Sequence, residues 1–163
     1  MPESEIVANI RDTLERLLDE TGVTLFDSVS TAPAVDTFVN AADPLQRSAV
    51  AIVVGDPERR QPTENDLDFV CRVPVQVVVK VNDATGTDAD GGLAIELARL
   101  ADLIRDALDV DPLRDGNAAR IMFGGEYIPG TRVHGAYRQY RSASNDQMRA
   151  AVIDVVCGYQ QAL

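Results

Sequence analysis

Apolar residues fill every odd position from 67 to 81: Leu67, Phe69, Cys71, Val73, Val75, Val77, Val79 and Val81. Asp68, Arg72, Pro74, Gln76, Lys80 and Asn82 take most of the even positions. Successive side chains therefore sort onto two faces, which predicts a β-strand with one core face. At about 3.3 Å per residue this run would span roughly 50 Å, well beyond a usual strand of about five or six residues. Pro74 cannot donate to a strand ladder, so it is expected at an edge, a bulge or a position facing solvent.

Elsewhere the period changes to that of a helix. Ile6, Val7, Ile10, Leu14, Leu17 and Leu18 recur at helical spacing, with Ser4 as the expected N-cap, Glu3 and Glu5 at the positive end of the dipole and Gly22 as the stop. Leu93, Leu97, Leu100, Ile104 and Leu108, widened by Ala94, Ala101 and Ala107, predict a second helix whose apolar face packs on the valine face of the sheet. Shorter strands are expected over 23–29, 48–54 and 118–127. A further strand is expected over 148–159, where apolar residues on both faces suit the inside of a sheet. The polar connection 56–66 would be the tip of an antiparallel hairpin carrying Arg59 and Arg60, and 82–92 a turn-rich linker. Long loops are expected near 32–47 and 111–145, with 128–145 an extended hairpin or surface loop. The order of elements predicts a single α+β domain over 1–163: a mostly antiparallel sheet with two main helices packed on it.

Charge narrows the partners. The chain of 163 residues carries a formal net charge of −11, which disfavours specific nucleic-acid binding, because that affinity comes from Lys and Arg displacing counterions. Lys80 is the only lysine. The acidic start of the sequence lacks the cationic, apolar pattern of a signal peptide, and no apolar run approaches the roughly 18 residues of a membrane span. A soluble protein made in the cytoplasm is expected, with no membrane partner.

No constellation of catalytic type emerges. His134 stands alone, and a surface histidine is the simpler account. Asp83, Asp88 and Asp90 do not align with a calcium loop, and Gly91-Gly92 before the second helix lacks the lysine of a phosphate-binding loop. Ser28, Ser30 and Ser142 have no nucleophile-elbow glycines around them. Cys71 and Cys157 lie in strand patterns without a second thiol or histidine nearby in sequence, so buried reduced thiols are expected. No catalytic residue, cofactor or metal site is assigned. Tyr137, Arg138, Tyr140 and Arg141 instead form a Tyr/Arg cluster of the kind enriched at protein interfaces, with an ordinary strand face of Arg packed over Tyr an equal alternative. Arg59 and Arg60 are further candidates for meeting acidic patches on a neighbouring copy.

The opening helix IVANIRDTLERLL, the strand VPVQVVVKVND followed by LAIELARLADLIRDALD, and the closing strand MRAAVIDVVCGYQ together give a layout that resembles the tail terminator (tail completion) proteins of long-tailed bacteriophages and related tailed viruses. The resemblance implies a structural virion protein of the tail and neck. Such a protein is a homo-oligomeric ring, typically a hexamer, that caps the tail tube protein and meets a head-completion or stopper protein. It would not be an enzyme, and DNA would pass through it without specific binding. Two other expectations stand beside it: another neck or tail structural subunit, or a small cytoplasmic ligand-binding domain or enzyme using the Gly91-Gly92 turn or His134.

Overall fold

The computed structural model describes residues 2–33, 49–60, 68–80, 92–119, 121–123, 126–128, 130–142 and 145–160. In chain order the elements are α1 (Pro2–Glu15), β1 (Ser28–Ala32), β2 (Ala49–Val54), β3 (Glu58–Arg60), β4 (Asp68–Lys80), α2 (Gly92–Asp109), β5 (Ile121–Phe123), β6 (Glu126–Ile128), β7 (Thr131–Ser142) and β8 (Asn145–Gln160). The valine-rich β4 pairs antiparallel with β8 over its whole length, from Asp68↔Gln160 to Lys80↔Met148. Around this central pair the sheet runs β1-β2-β4-β8-β7, with β3 also paired to β4. All of its pairings are antiparallel except β1 with β2. The fold is α+β, a mostly antiparallel mixed sheet with two helices, as the periodicities predict.

The odd face of β4 is the core face. Val73, Val75, Val77 and Val79 meet Ala51 and Val53 of β2, and Ala151, Ile153 and Val155 of β8. Ile6, Ile10 and Leu14 of α1 and Leu97, Leu100, Ile104 and Leu108 of α2 close over them, each with no more than 1% of its surface exposed. Each such side chain contributes about 1.5 to 3 kcal/mol by leaving water.

The even face departs from the expectation of a single core face. Val70, Gln76 and Val78 of β4 are buried, as are Ile52 and Val54 of β2 and Ala150 and Asp154 of β8. Two valines interrupt the polar positions of β4, and apolar neighbours in the adjacent strands carry burial across this face. Pro74 behaves as its chemistry requires. It lies between the β2 ladder, which reaches Val75, and the β3 ladder, which reaches Arg72, so no described ladder on that side needs its missing N–H.

Three expected boundaries shift. First, α1 starts at Pro2 and ends at Glu15, so Ser4 lies inside it and Leu17, Leu18 and Gly22 beyond it. Its end is set by Asp19, whose carboxylate accepts from the backbone N–H groups of Thr21 (2.8 Å) and Val23 (3.0 Å) and from the Thr21 hydroxyl (2.6 Å). This turn competes with another helical turn. Gly22, at φ 83°, serves the turn instead of capping the helix. Second, residues 23–25 are engaged by the same turn, with the Leu25 N–H donating to Leu17 O at 2.8 Å, so the first strand begins at Ser28 and not at Val23. Third, the long loop expected near 111–145 is largely strand: the β5–β6 hairpin falls at the strand expected over 118–127, and the 12-residue β7 pairs with β8, in line with the extended-hairpin alternative for 128–145. The Gly135 and arginines of β7 hide its strand period. The proposed loop 32–47 lies mostly outside the described residues, as do Asp83, Asp88, Asp90 and Gly91.

Candidate functional site

The candidate contact residues fall into two groups at opposite ends of the sheet. Arg59 is registered against Cys71 at one end of β4, whereas Arg141 is registered against Arg149, which itself pairs with Val79 at the other. Eight residues along β4 separate the two levels, about 26 Å of strand. They do not form one site.

At the first end Arg59 is not at a free hairpin tip, which corrects that expectation. β3 folds back along β4, and the Arg59 Nε lies 2.7 Å from Glu3 Oε1 of α1, with the guanidinium 5.8 Å from the centre of the Phe69 ring. Phe69 stacks on Tyr159 at 5.4 Å with 13° between the rings, and the Tyr159 hydroxyl donates to Glu3. Burial, then this bond and the Glu3 charge, pushes the Tyr159 phenol above its usual value of 10.0. Arg59 therefore ties β3 to the first turn of α1 within its own subunit. Arg60 is registered against Val70.

Directly beside this cluster Cys71 and Cys157 face each other across β4 and β8, both fully buried and both free thiols. The hydrogen bond with Cys157, with burial, pushes the Cys71 thiol up, so at neutral pH it keeps its proton. Thr131 Oγ1 lies 3.6 Å from Cys157 Sγ and donates to Pro112 O at 2.7 Å. On the even face Arg72 bridges Asp154 at 3.2 Å and Glu58 at 2.9 Å.

A buried arginine that the sequence reasoning missed organises the same end. Arg114 is fully buried; its guanidinium donates to the carbonyls of Leu108 and Asp111 and, at 3.1 Å, to Asn9 Oδ1 of α1. These bonds satisfy carbonyls left open where α2 ends. Burial pulls the guanidinium below its ordinary value. Arg114, Asp115 and Gly116 take φ of 47°, 57° and 84°, a left-handed turn held by the Asp115 N–H donating to Asp111 Oδ2 at 2.8 Å. The signal that could have found Arg114 is its place just beyond a helix end, where arginines commonly meet terminal carbonyls.

At the second end, β7 is an edge strand among the described residues, with β8 as its neighbour. Arg138, Tyr140 and Arg141 are registered against Val152, Ala150 and Arg149, and Tyr137 lies in the register shift between His134 and Arg138. The four residues of the Tyr/Arg cluster thus lie on one strand, β7, and His134 is registered against Asp154.

Among the described residues no group of three His, Cys, Asp or Glu side chains is placed to hold a metal ion, and no helix is long and apolar enough to cross a membrane. No family model matches the chain, and no curated protein matches it either.

Proposed function

We propose that the chain is a structural subunit of a tailed virus: a ring-forming tail terminator, located in the tail and neck of the virion, that closes the tail tube and offers a surface to a head-completion or stopper protein. The observation that supports it most is the pairing of β4 with β8 over 13 residues, with α1 and α2 packed against the core face of that sheet. That is the helix, long strand, helix and closing strand layout carried by the resemblance. The reading assigns no catalysis and no cofactor. A net charge of −11 suits a conduit that a genome crosses without adhering, since negative walls repel phosphate.

The test is size-exclusion chromatography with light scattering, followed by electron microscopy with purified tail tubes. Rings, typically of six copies, seated at one end of the tubes are the expected outcome. A stable monomer that ignores tube ends would overturn the reading.

A further inference from the structure

The β4–β8 pairing sets the only two cysteines of the chain, Cys71 and Cys157, directly opposite each other. Both thiols are free and fully buried on the core face, and they hydrogen-bond to each other. Residues opposed across an antiparallel pair have Cα atoms about 4.5 or 5.5 Å apart, within the roughly 4.4 to 6.8 Å that a disulfide spans. Their Cβ atoms, at about 4.5 to 5.5 Å, need to draw in toward the disulfide value of about 3.8 Å. A bond between these sulfurs is therefore within reach without a change of register, and its strain makes it easy to reduce.

A cysteine surrounded only by apolar groups is inert, but Cys157 is not so placed. The Thr131 hydroxyl lies 3.6 Å from its Sγ and also donates to Pro112 O at 2.7 Å, in the exposed turn after α2. One side chain thus separates the sulfur from a surface segment. Arg114 supplies a buried positive charge. Among the described residues its guanidinium donates to neutral groups, the carbonyls of Leu108 and Asp111 and the amide oxygen of Asn9, and its Nε–H has no hydrogen-bond partner. A negative charge on Cys157 offsets the burial of this cation more than Asp111 or Asp109 does. In return the Cys71 thiol, then Thr131 and the Arg114 charge, pull the Cys157 thiol down against its burial. Cys71 instead feels the Glu3 carboxylate, which opposes its ionisation. The two thiols are therefore unequal.

We propose that Cys71 and Cys157 form a dithiol oxidised by hydrogen peroxide, in which Cys157 is the nucleophile and Cys71 the resolving thiol. The Cys157 thiolate attacks one peroxide oxygen and the O–O bond breaks. Hydroxide leaves, takes up the proton released by Cys157 and becomes water, while Cys157 becomes a sulfenic acid. The Cys71 sulfur then attacks the Cys157 sulfur, the S–O bond breaks, and the departing hydroxide joins the Cys71 proton as a second water. Two thiols give up two electrons and two protons, and one peroxide becomes two waters. The product ties the central strands β4 and β8 across 86 positions of chain, and so holds the subunit against unfolding. Neither step depends on assembly, so the oxidation stands apart from the ring reading.

The experiment exposes the folded native chain, C71S and C157S to hydrogen peroxide at neutral pH, followed by thiol titration in denaturant, peptide mapping and thermal melting. In the native chain both thiols should disappear together, and mapping should join Cys71 to Cys157. The melting temperature should rise by about 5 to 15 °C and return with dithiothreitol. C71S should stop at a Cys157 sulfenic acid captured by dimedone, whereas Cys71 in C157S should react at least about tenfold more slowly.

If the folded native chain keeps both thiols while the same chain in urea is oxidised, or if disulfides join separate copies instead, the proposal is overturned. Equal rates in C71S and C157S overturn the assignment of Cys157 as nucleophile. The first readout needs the native chain alone, so it stands even where a serine variant fails to fold.

Discussion

Arg114 and Gly130 show how single residues hold the end of the molecule where α2 meets the sheet. Replacing Arg114 with Met removes the donor that serves the Leu108 and Asp111 carbonyls and Asn9, and should cost about 3 kcal/mol in urea denaturation. Gly130 permits a close approach: a Cβ there would sit 2.5 Å from Pro112 O and 2.8 Å from Leu113 Cδ2. Gly130→Ala should therefore destabilise by about 1 to 3 kcal/mol in the same measurement, because backbone, and not only a flexible side-chain tip, must shift.

Tyr159 gives a prediction in pH. The folded phenol holds its proton above the usual value of 10.0, where the unfolded one releases it, so folding is favoured in full below about pH 10 and loses this contribution as pH climbs above it. Tyr159→Phe should flatten the alkaline limb of a plot of stability against pH without abolishing it. It should also cost about 1 kcal/mol near neutrality through the lost bond to Glu3.

Among elements, α2 separates burial from exposure along one helix. Ile104 is fully buried, whereas Ile95 is 71% exposed. Ile104→Ala should cost about 2 to 5 kcal/mol in chemical denaturation, and Ile95→Asp should stay within about 0.5 kcal/mol of the native chain. This contrast is partly legible from sequence, since Ile104 belongs to the apolar series of α2 and Ile95 does not. The strands β4 and β8 are legible for a similar reason: valines on alternate positions, or apolar residues on both faces, are what central strands require.

What escapes notice is set by tertiary context. The end of α1 depends on Asp19 capturing the amides of Thr21 and Val23, a local bond competing with a hydrophobic pattern that continues to Leu18. The β7 strand escapes because an edge strand with a register shift needs little apolar alternation. The buried even face escapes because Val70 and Val78 matter only once β2 and β8 lie beside them. Of the candidate contact residues, the Tyr/Arg cluster falls on β7, while Arg59 reaches Glu3, a partner 56 positions away in sequence that no periodicity announces.

At the scale of the whole molecule, a net charge of −11 makes each subunit repel itself, so moderate salt should raise the melting temperature of dilute monomer by screening. Calorimetry of dilute protein over a salt series checks this: a melting temperature that falls as salt rises would show that self-repulsion does not govern the subunit.

The pairing of β4 with β8 also governs how the chain must be made. Lys80 and Met148 are 68 residues apart in sequence, and Asp68 and Gln160 are 92 apart, so the centre of the sheet is built from its most distant contacts. During synthesis β4 leaves the ribosome long before the strand that covers its flank, and pairings of this range close slowly. Until β8 arrives, β4 presents an open, valine-rich edge suited to pairing with another nascent chain. The strand that gives the sheet its middle is thus also the period of greatest risk in its biogenesis. A chain cut before Asn145 should accumulate as aggregate, with the same helices and valines that make the finished subunit stable.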